Sequence, residues 1–169
     1  VGDRGGEGTT LNNLGGVYDD LGKKQEALQY YERALAIVGE VGDRGGEGTT
    51  LNNLGGVYNA LGKKQEALQY YERALAIRRE VGDRGGEGTT LWNIGATCFD
   101  QQRYNVALAC YLLAQEIYKQ VQSPLAENVE RWIASLRDRL GEQQFASLLA
   151  QVEHHEEQIV EDALREIRQ

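Results

Sequence analysis

Methionine is absent from these 169 residues, proline occurs once, at Pro124, and cysteine and histidine occur only twice each. Each scarcity excludes something. No apolar run approaches the length that crosses a bilayer, and no signal segment opens the chain, so no membrane partner is expected. Cys98 and Cys110 form no CxxC pair and are too few for a disulfide framework. They read as small buried hydrophobes of a reducing, cytoplasmic compartment. The two histidines, His154 and His155, are adjacent. Neighbouring side chains diverge by about 100° on a helix, so this pair does not converge on a metal, and no HExxH is present. Nor is there a Ser/His/Asp grouping or a GxxxxGK[ST] phosphate loop. The chain is therefore read as a non-enzyme without cofactor or metal. A chain opening at Val1 without methionine reads as part of a longer protein.

Basic charge is also short. Eighteen Lys and Arg stand against 26 Asp and Glu, a net charge of −8. An acidic chain is a poor match for a phosphate backbone, so no nucleic acid is expected as partner. Lys23-Lys24 and Lys63-Lys64 read as solvated helix starts.

Glycine is abundant, and its placement is orderly. Of 21 glycines, 20 lie in residues 1–120. The string VGDRGGEGTTL begins at Val1, Val41 and Val81, a period of 40 residues. Residues 1–40 and 41–80 differ at only four positions: Asp19/Asn59, Asp20/Ala60, Val38/Arg78 and Gly39/Arg79. The third unit keeps its first eleven residues and then diverges. Repetition at this period marks stacked structural repeats.

Each unit reads as two amphipathic helices. Leu11, Leu14, Gly15 and Tyr18 follow i, i+3, i+4, i+7 spacing. Leu21-Gly22 closes that helix, glycine being the usual stop. A second helix starts near Lys24, with Ala27, Leu28, Tyr31, Ala34 and Leu35 as its apolar stripe. So short a connection makes the pair antiparallel, and one such hairpin cannot bury its own stripe, so neighbours must stack. GDRGGEG reads as a hairpin connection running into a first helical turn. Its glycines cost about 1 kcal/mol each relative to alanine, so that turn should fray unless close contact with the previous repeat offsets the cost.

Leu14-Gly15, Tyr18, Ala27, Tyr31 and Ala34 stand at the spacings L-G-x2-Y…A-x3-F…A of the tetratricopeptide signature. Leu54-Gly55, Tyr58, Ala67, Tyr71 and Ala74 repeat them, and Ile94-Gly95, Cys98, Ala107, Tyr111 and Ala114 give a looser third copy. The chain resembles tetratricopeptide repeat proteins over residues 1–120. Its 40-residue period is similar to that of the longer-repeat subclass of the LGN/Pins scaffold proteins and, more distantly, of kinesin light chain. The signature tryptophan position carries Leu11, Leu51 and Leu91, and the terminal proline position carries Gly39, Arg79 and Lys119. The resemblance implies an all-α, right-handed superhelical solenoid of antiparallel helical hairpins with C-terminal capping helices.

After residue 120 the repeat fades, and 121–169 reads as a helical cap beyond three repeats at 1–40, 41–80 and 81–120. Ser123-Pro124 is a helix start. Leu125, Val129, Trp132, Ile133, Leu136 and Leu140 follow helical spacing, and Gly141 ends the run. Whether 142–168 forms one helix or two stays open, because Glu153–Glu157 is a polar interruption. The cap carries −5 of the net charge, which suits the polar outer face of a terminal unit.

In such a solenoid the first helix of each hairpin lines the concave side. Opposite its packed stripe it presents Thr9, Asn12, Asn13, Gly16 and Asp20, then Thr49, Asn52, Asn53, Gly56 and Ala60, then Thr89, Trp92, Asn93, Ala96 and Asp100. An asparagine amide both donates and accepts, so Asn13, Asn53 and Asn93 can pair with a peptide main chain. The resemblance implies the same use of groove asparagines. Gly16 and Gly56 leave room for that backbone, Trp92 and Phe99 offer an aromatic anchor, and Asp19, Asp20 and Asp100 favour basic residues on the partner. The asparagines could instead bond neighbouring helices, and Trp92 could pack on the C-terminal segment. The leading expectation is a protein-interaction scaffold holding an extended peptide in this groove. The alternative is a self-assembly module stacking head-to-tail through its first repeat.

Overall fold

A computed structural model describes residues 3–167. The first two residues of the first repeat and the last two of the C-terminal segment lie outside the described residues. Nine α-helices and no strand occur among those residues. The chain divides into two compact units, Val1–Asp83 and Arg84–Gln169.

The first unit holds α1 (Arg4–Asp20), α2 (Lys24–Val41), α3 (Arg44–Ala60) and α4 (Lys64–Glu80), two antiparallel hairpins. The RGGEG part of the recurring string is helical, forming the first turn of α1 and of α3. Asp3 and Asp43 cap α1 and α3, their carboxylates accepting from the N–H of Gly6 and Gly46 at 2.9 Å. Each following arginine ties the hairpin shut. Arg4 pairs with Glu7 and with Glu40 at the far end of α2, and Arg44 does the same with Glu47 and Glu80. The Arg44 guanidinium accordingly holds the Glu80 carboxyl below the usual carboxylate range. The contact that offsets the glycine cost comes chiefly from within the repeat. A Cβ on Gly8 would lie 3.2 Å from Ile37 and Val38, and one on Gly48 would lie 3.2 Å from Ile77.

Closer still is the crossing at Gly15 and Gly55. A Cβ there would stand 2.6 Å from the Tyr31 ring and 2.5 Å from the Tyr71 ring. Glycine lets the two helices of each hairpin approach until the tyrosine ring occupies the place of a Cβ. Between hairpins, Leu54 and Val57 of α3 pack on Ala27, Leu28 and Tyr31 of α2. The same positions on α1 have no such cover. Leu14 and Val17 are 37% and 53% exposed, whereas Leu54 and Val57 are 0% exposed. Leu14, read as part of a packed stripe, is therefore half open in the first repeat.

The second unit holds α5 (Arg84–Asp100), α6 (Tyr104–Gln120), α7 (Leu125–Leu140), α8 (Glu142–Val152) and α9 (Glu156–Ile167). Its hub is α6, against which α5, α7, α8 and α9 all pack. That explains why α6 buries nine residues, Val106 to Tyr118, where α2 buries six. The segment 142–168 is two helices within the described residues, parted at Glu153–His155, with His154 at φ 72°. Ser123 Oγ accepts from Leu125 N at 3.3 Å beside Pro124, where α7 begins.

Candidate functional site

On α1 and α3 the face away from the packed stripe carries the predicted asparagines in two states. Asn13 is exposed and makes no hydrogen bond among the described residues. Asn12 and Asn53 are half-buried and bonded to each other across the hairpins, Asn53 Nδ2 donating to Asn12 Oδ1 at 3.2 Å. Thr50 Oγ1 lies 3.3 Å from the same oxygen. One function of this pair is thus to link α1 to α3. Asn53 keeps its own Oδ1 and a second N–H for another partner. Asn52 is half-buried and engaged.

Gly16 and Gly56 leave space beside these amides. A Cβ on either would find only the hydroxyl of Tyr31 at 3.6 Å or of Tyr71 at 3.9 Å, ordinary contact distances. These glycines differ from Gly15 and Gly55 in that no packing forbids a side chain.

The predicted acidic contribution is partly spent within the fold. Asp19 is paired with Lys24, Nζ to Oδ1 at 2.6 Å. Asp20 is exposed and forms no ion pair among the described residues. In the second repeat Lys64 donates to Asn59 Oδ1 at 2.7 Å, so the lysine keeps its anchor while the charge is gone. Lys23 and Lys63 lie over the rings of Tyr18 and Tyr58 at 5.5 and 5.6 Å. Asp19 and Asp20, after burial itself, help push the phenol of Tyr31 up to about 12.

In the second unit Trp92, Asn93 and Phe99 are half-buried on α5, and Asp100 is exposed at its end. Asn93 and Asp100 both have interactions within the fold. Trp132 of α7 gathers the aromatic residues. Its ring centroid lies 6.2 Å from Trp92, 5.9 Å from Phe99 and 6.0 Å from Tyr111. The guanidinium of Arg139 covers the Phe99 ring at 5.2 Å. Trp92 and Phe99 therefore share a neighbour in the C-terminal segment, the packing that the sequence offered for Trp92 as the alternative to a peptide anchor. A signal for it existed: Trp132 follows Trp92 by the same 40 residues that separate Trp92 from Asn52. Between α5, α6 and α7 lies a cavity of about 210 Å³, with Thr89, Trp92 and Trp132 among its walls.

His154 and His155 sit in the turn between α8 and α9, with His155 Nδ1 3.2 Å from the Glu153 carbonyl oxygen. Among the described residues no group of three or more His, Cys, Asp or Glu is placed to hold a metal ion, and no helix is long and apolar enough to cross a membrane. Cys98 and Cys110 are both buried free thiols, and burial pushes Cys98 up to about 11.

Residues 1–40 and 46–120 match a family model described as tetratricopeptide repeat. No curated protein matches the chain significantly. Among solved structures, the crystal structure of BtubC (BKLC) from P. vanneervenii is similar, with a TM-score of 0.62 and 22% identity. The match covers 95% of this chain and 63% of that one, so the chain spans less than two thirds of its length. At this identity the likeness is one of fold.

Proposed function

This chain belongs to the tetratricopeptide repeat family, whose repeats mediate protein–protein interactions, and we propose that it is a scaffold holding an extended peptide segment in the concave groove of its first helices. The observation that carries this reading is Asn13. It is an exposed amide with no hydrogen-bond partner among the described residues, beside a glycine, Gly16, that no packing contact requires. A main chain passing there meets a donor, an acceptor and open space together. Asn53 repeats the arrangement with one hydrogen bond already committed to Asn12, and Asn93 is its counterpart on α5. Asp20 and Asp100, exposed at the ends of their helices, favour basic residues on the ligand. The 40-residue period supports the longer-repeat subclass that includes LGN/Pins. The acidic charge and buried free cysteines support a cytoplasmic, non-enzymatic role without nucleic acid.

The test is a peptide selected from a random display library on the intact chain, its affinity measured by fluorescence anisotropy. Asn13, Asn53 and Asn93→Ala together should weaken it about tenfold or more at unchanged helicity, each lost hydrogen bond contributing about 0.5–1.5 kcal/mol. An unchanged Kd removes the asparagine clamp.

A second reading has an observation of its own. The α1 stripe of Leu14 and Val17 is open, yet the same stripe on α3 is covered by α2. A second copy offering an α2-like helix would find its complement there, giving head-to-tail self-association. Light scattering that returns the monomer mass up to millimolar concentration eliminates this reading.

A further inference from the structure

The cavity between α5, α6 and α7 has about 210 Å³ of space and mostly apolar walls, among them Trp92, Tyr118, Leu125, Val129 and Trp132, with Arg131 on its lining. Both tryptophans of the chain are among them. A dry cavity of about 150 Å³ is enough to take a benzene ring. Leu125 and Arg131 are exposed, so the cavity opens to solvent. Two features make this more than loose packing. The Trp92 indole N–H is buried without an acceptor among the described residues, and a buried indole N–H normally has one. Arg131 has no ion-pair partner among the described residues, in a segment rich in carboxylates.

The position of Trp92 adds a comparison within the chain. At the same place in the first repeat stands Asn12, which bonds Thr50 and Asn53 on the next first helix. The third repeat replaces that polar link by an indole, and α7 answers with a second indole, edge-on at 6.2 Å. A polar tie between helices has become an aromatic-walled space.

We propose that this cavity is an anchor pocket for one aromatic side chain of a peptide partner, with an acidic residue beside it meeting Arg131. The inference rests on the groove reading and deepens it. A phenyl ring fills the apolar space, and a neighbouring carboxylate supplies the charge that Arg131 lacks. A carbonyl brought in with the ring gives the Trp92 indole a reason to turn toward it, because an unsatisfied buried donor is destabilising.

The probe is the capped dipeptide N-acetyl-Asp-Phe-amide, titrated into the full ¹⁵N-labelled chain, with the two indole N–H cross-peaks as readout and Trp92→Phe as the assignment control. Saturable shifts of both indole peaks are expected from Asp-Phe. N-acetyl-Asp-Ala-amide should shift neither. Arg131→Glu should weaken Asp-Phe by about two- to fivefold, the scale of an exposed ion pair, and should prefer N-acetyl-Lys-Phe-amide. Leu125→Phe, which crowds the mouth from an exposed position, should abolish the shifts with helicity intact. Absence of saturable indole shifts overturns the pocket, as does equal response to Asp-Phe and Asp-Ala. If the pocket fails while a display-selected peptide still needs Asn13 and Asn53, the anchor is wrong and the groove reading survives. If that dependence fails as well, both fall.

Discussion

Adjacent glycines in this chain stand in opposite packing environments. Gly15 and Gly55 lie under tyrosine rings at 2.6 and 2.5 Å from where a Cβ would stand. Gly15→Ala or Gly55→Ala should therefore destabilise by about 1–3 kcal/mol, the usual cost of overpacking. Gly16 and Gly56 meet nothing nearer than 3.6 Å. Gly16→Ala with Gly56→Ala should stabilise by up to about 1 kcal/mol per site through helix propensity, yet weaken a groove-bound peptide by narrowing its path. Urea unfolding and peptide affinity, measured on the same samples, separate the two effects. The sequence allowed this distinction in part. Gly15 falls on the signature's apolar stripe, but the state of Asn12 and Asn53 was not readable. Periodicity places a side chain on a face; it does not say whether the neighbouring helix already holds it.

At the level of elements, the connections show what the diverging third repeat has lost. Gly22 and Gly62 take φ of 74° and 77° after the first helices, and the corresponding residue after α5 is Gln102 at 61°. A side chain in that left-handed conformation is strained. Gln102→Gly should raise stability by about 0.5–1 kcal/mol, seen as a higher urea midpoint with an unchanged slope. A lower midpoint would mean that Gln102 makes compensating contacts. Helix positions and hairpin connections were largely legible, since glycine stops and apolar spacing act locally. The role of VGDRGGEG was not. Its Asp cap, its Arg-to-Glu clasp and its glycine contacts join residues up to 36 apart, and only the folded hairpin brings them together. Packing of Trp92 on the C-terminal segment was legible as an alternative, but the gathering of Phe99 and Tyr111 around the same Trp132 was not, for the same reason.

For the whole molecule, the buried tyrosines set a limit at alkaline pH. Burial, with Asp19 and Asp20 adding to it, raises Tyr31 to about 12, and burial also pushes Tyr71 and Tyr111 upward. A neutral phenol is thus favoured in the fold. Its contribution is complete below about pH 10, where the unfolded phenol is also neutral. Above that the unfolded chain ionises first, so stability should fall from pH 10 toward pH 12, as urea midpoints across this range would record. A flat profile would contradict the burial of these hydroxyls. Function at this scale rests on which face of the repeats meets a partner. The most direct measurement is NMR mapping of a display-selected peptide on the ¹⁵N-labelled chain, following the side-chain amides of Asn13, Asn53 and Asn93. The groove account predicts saturable shifts at these amides, with exposed positions of α2 and α4 unmoved. Shifts confined to α2 and α4, or to the Leu14 and Val17 face of α1, with the three asparagine amides unchanged, would contradict it.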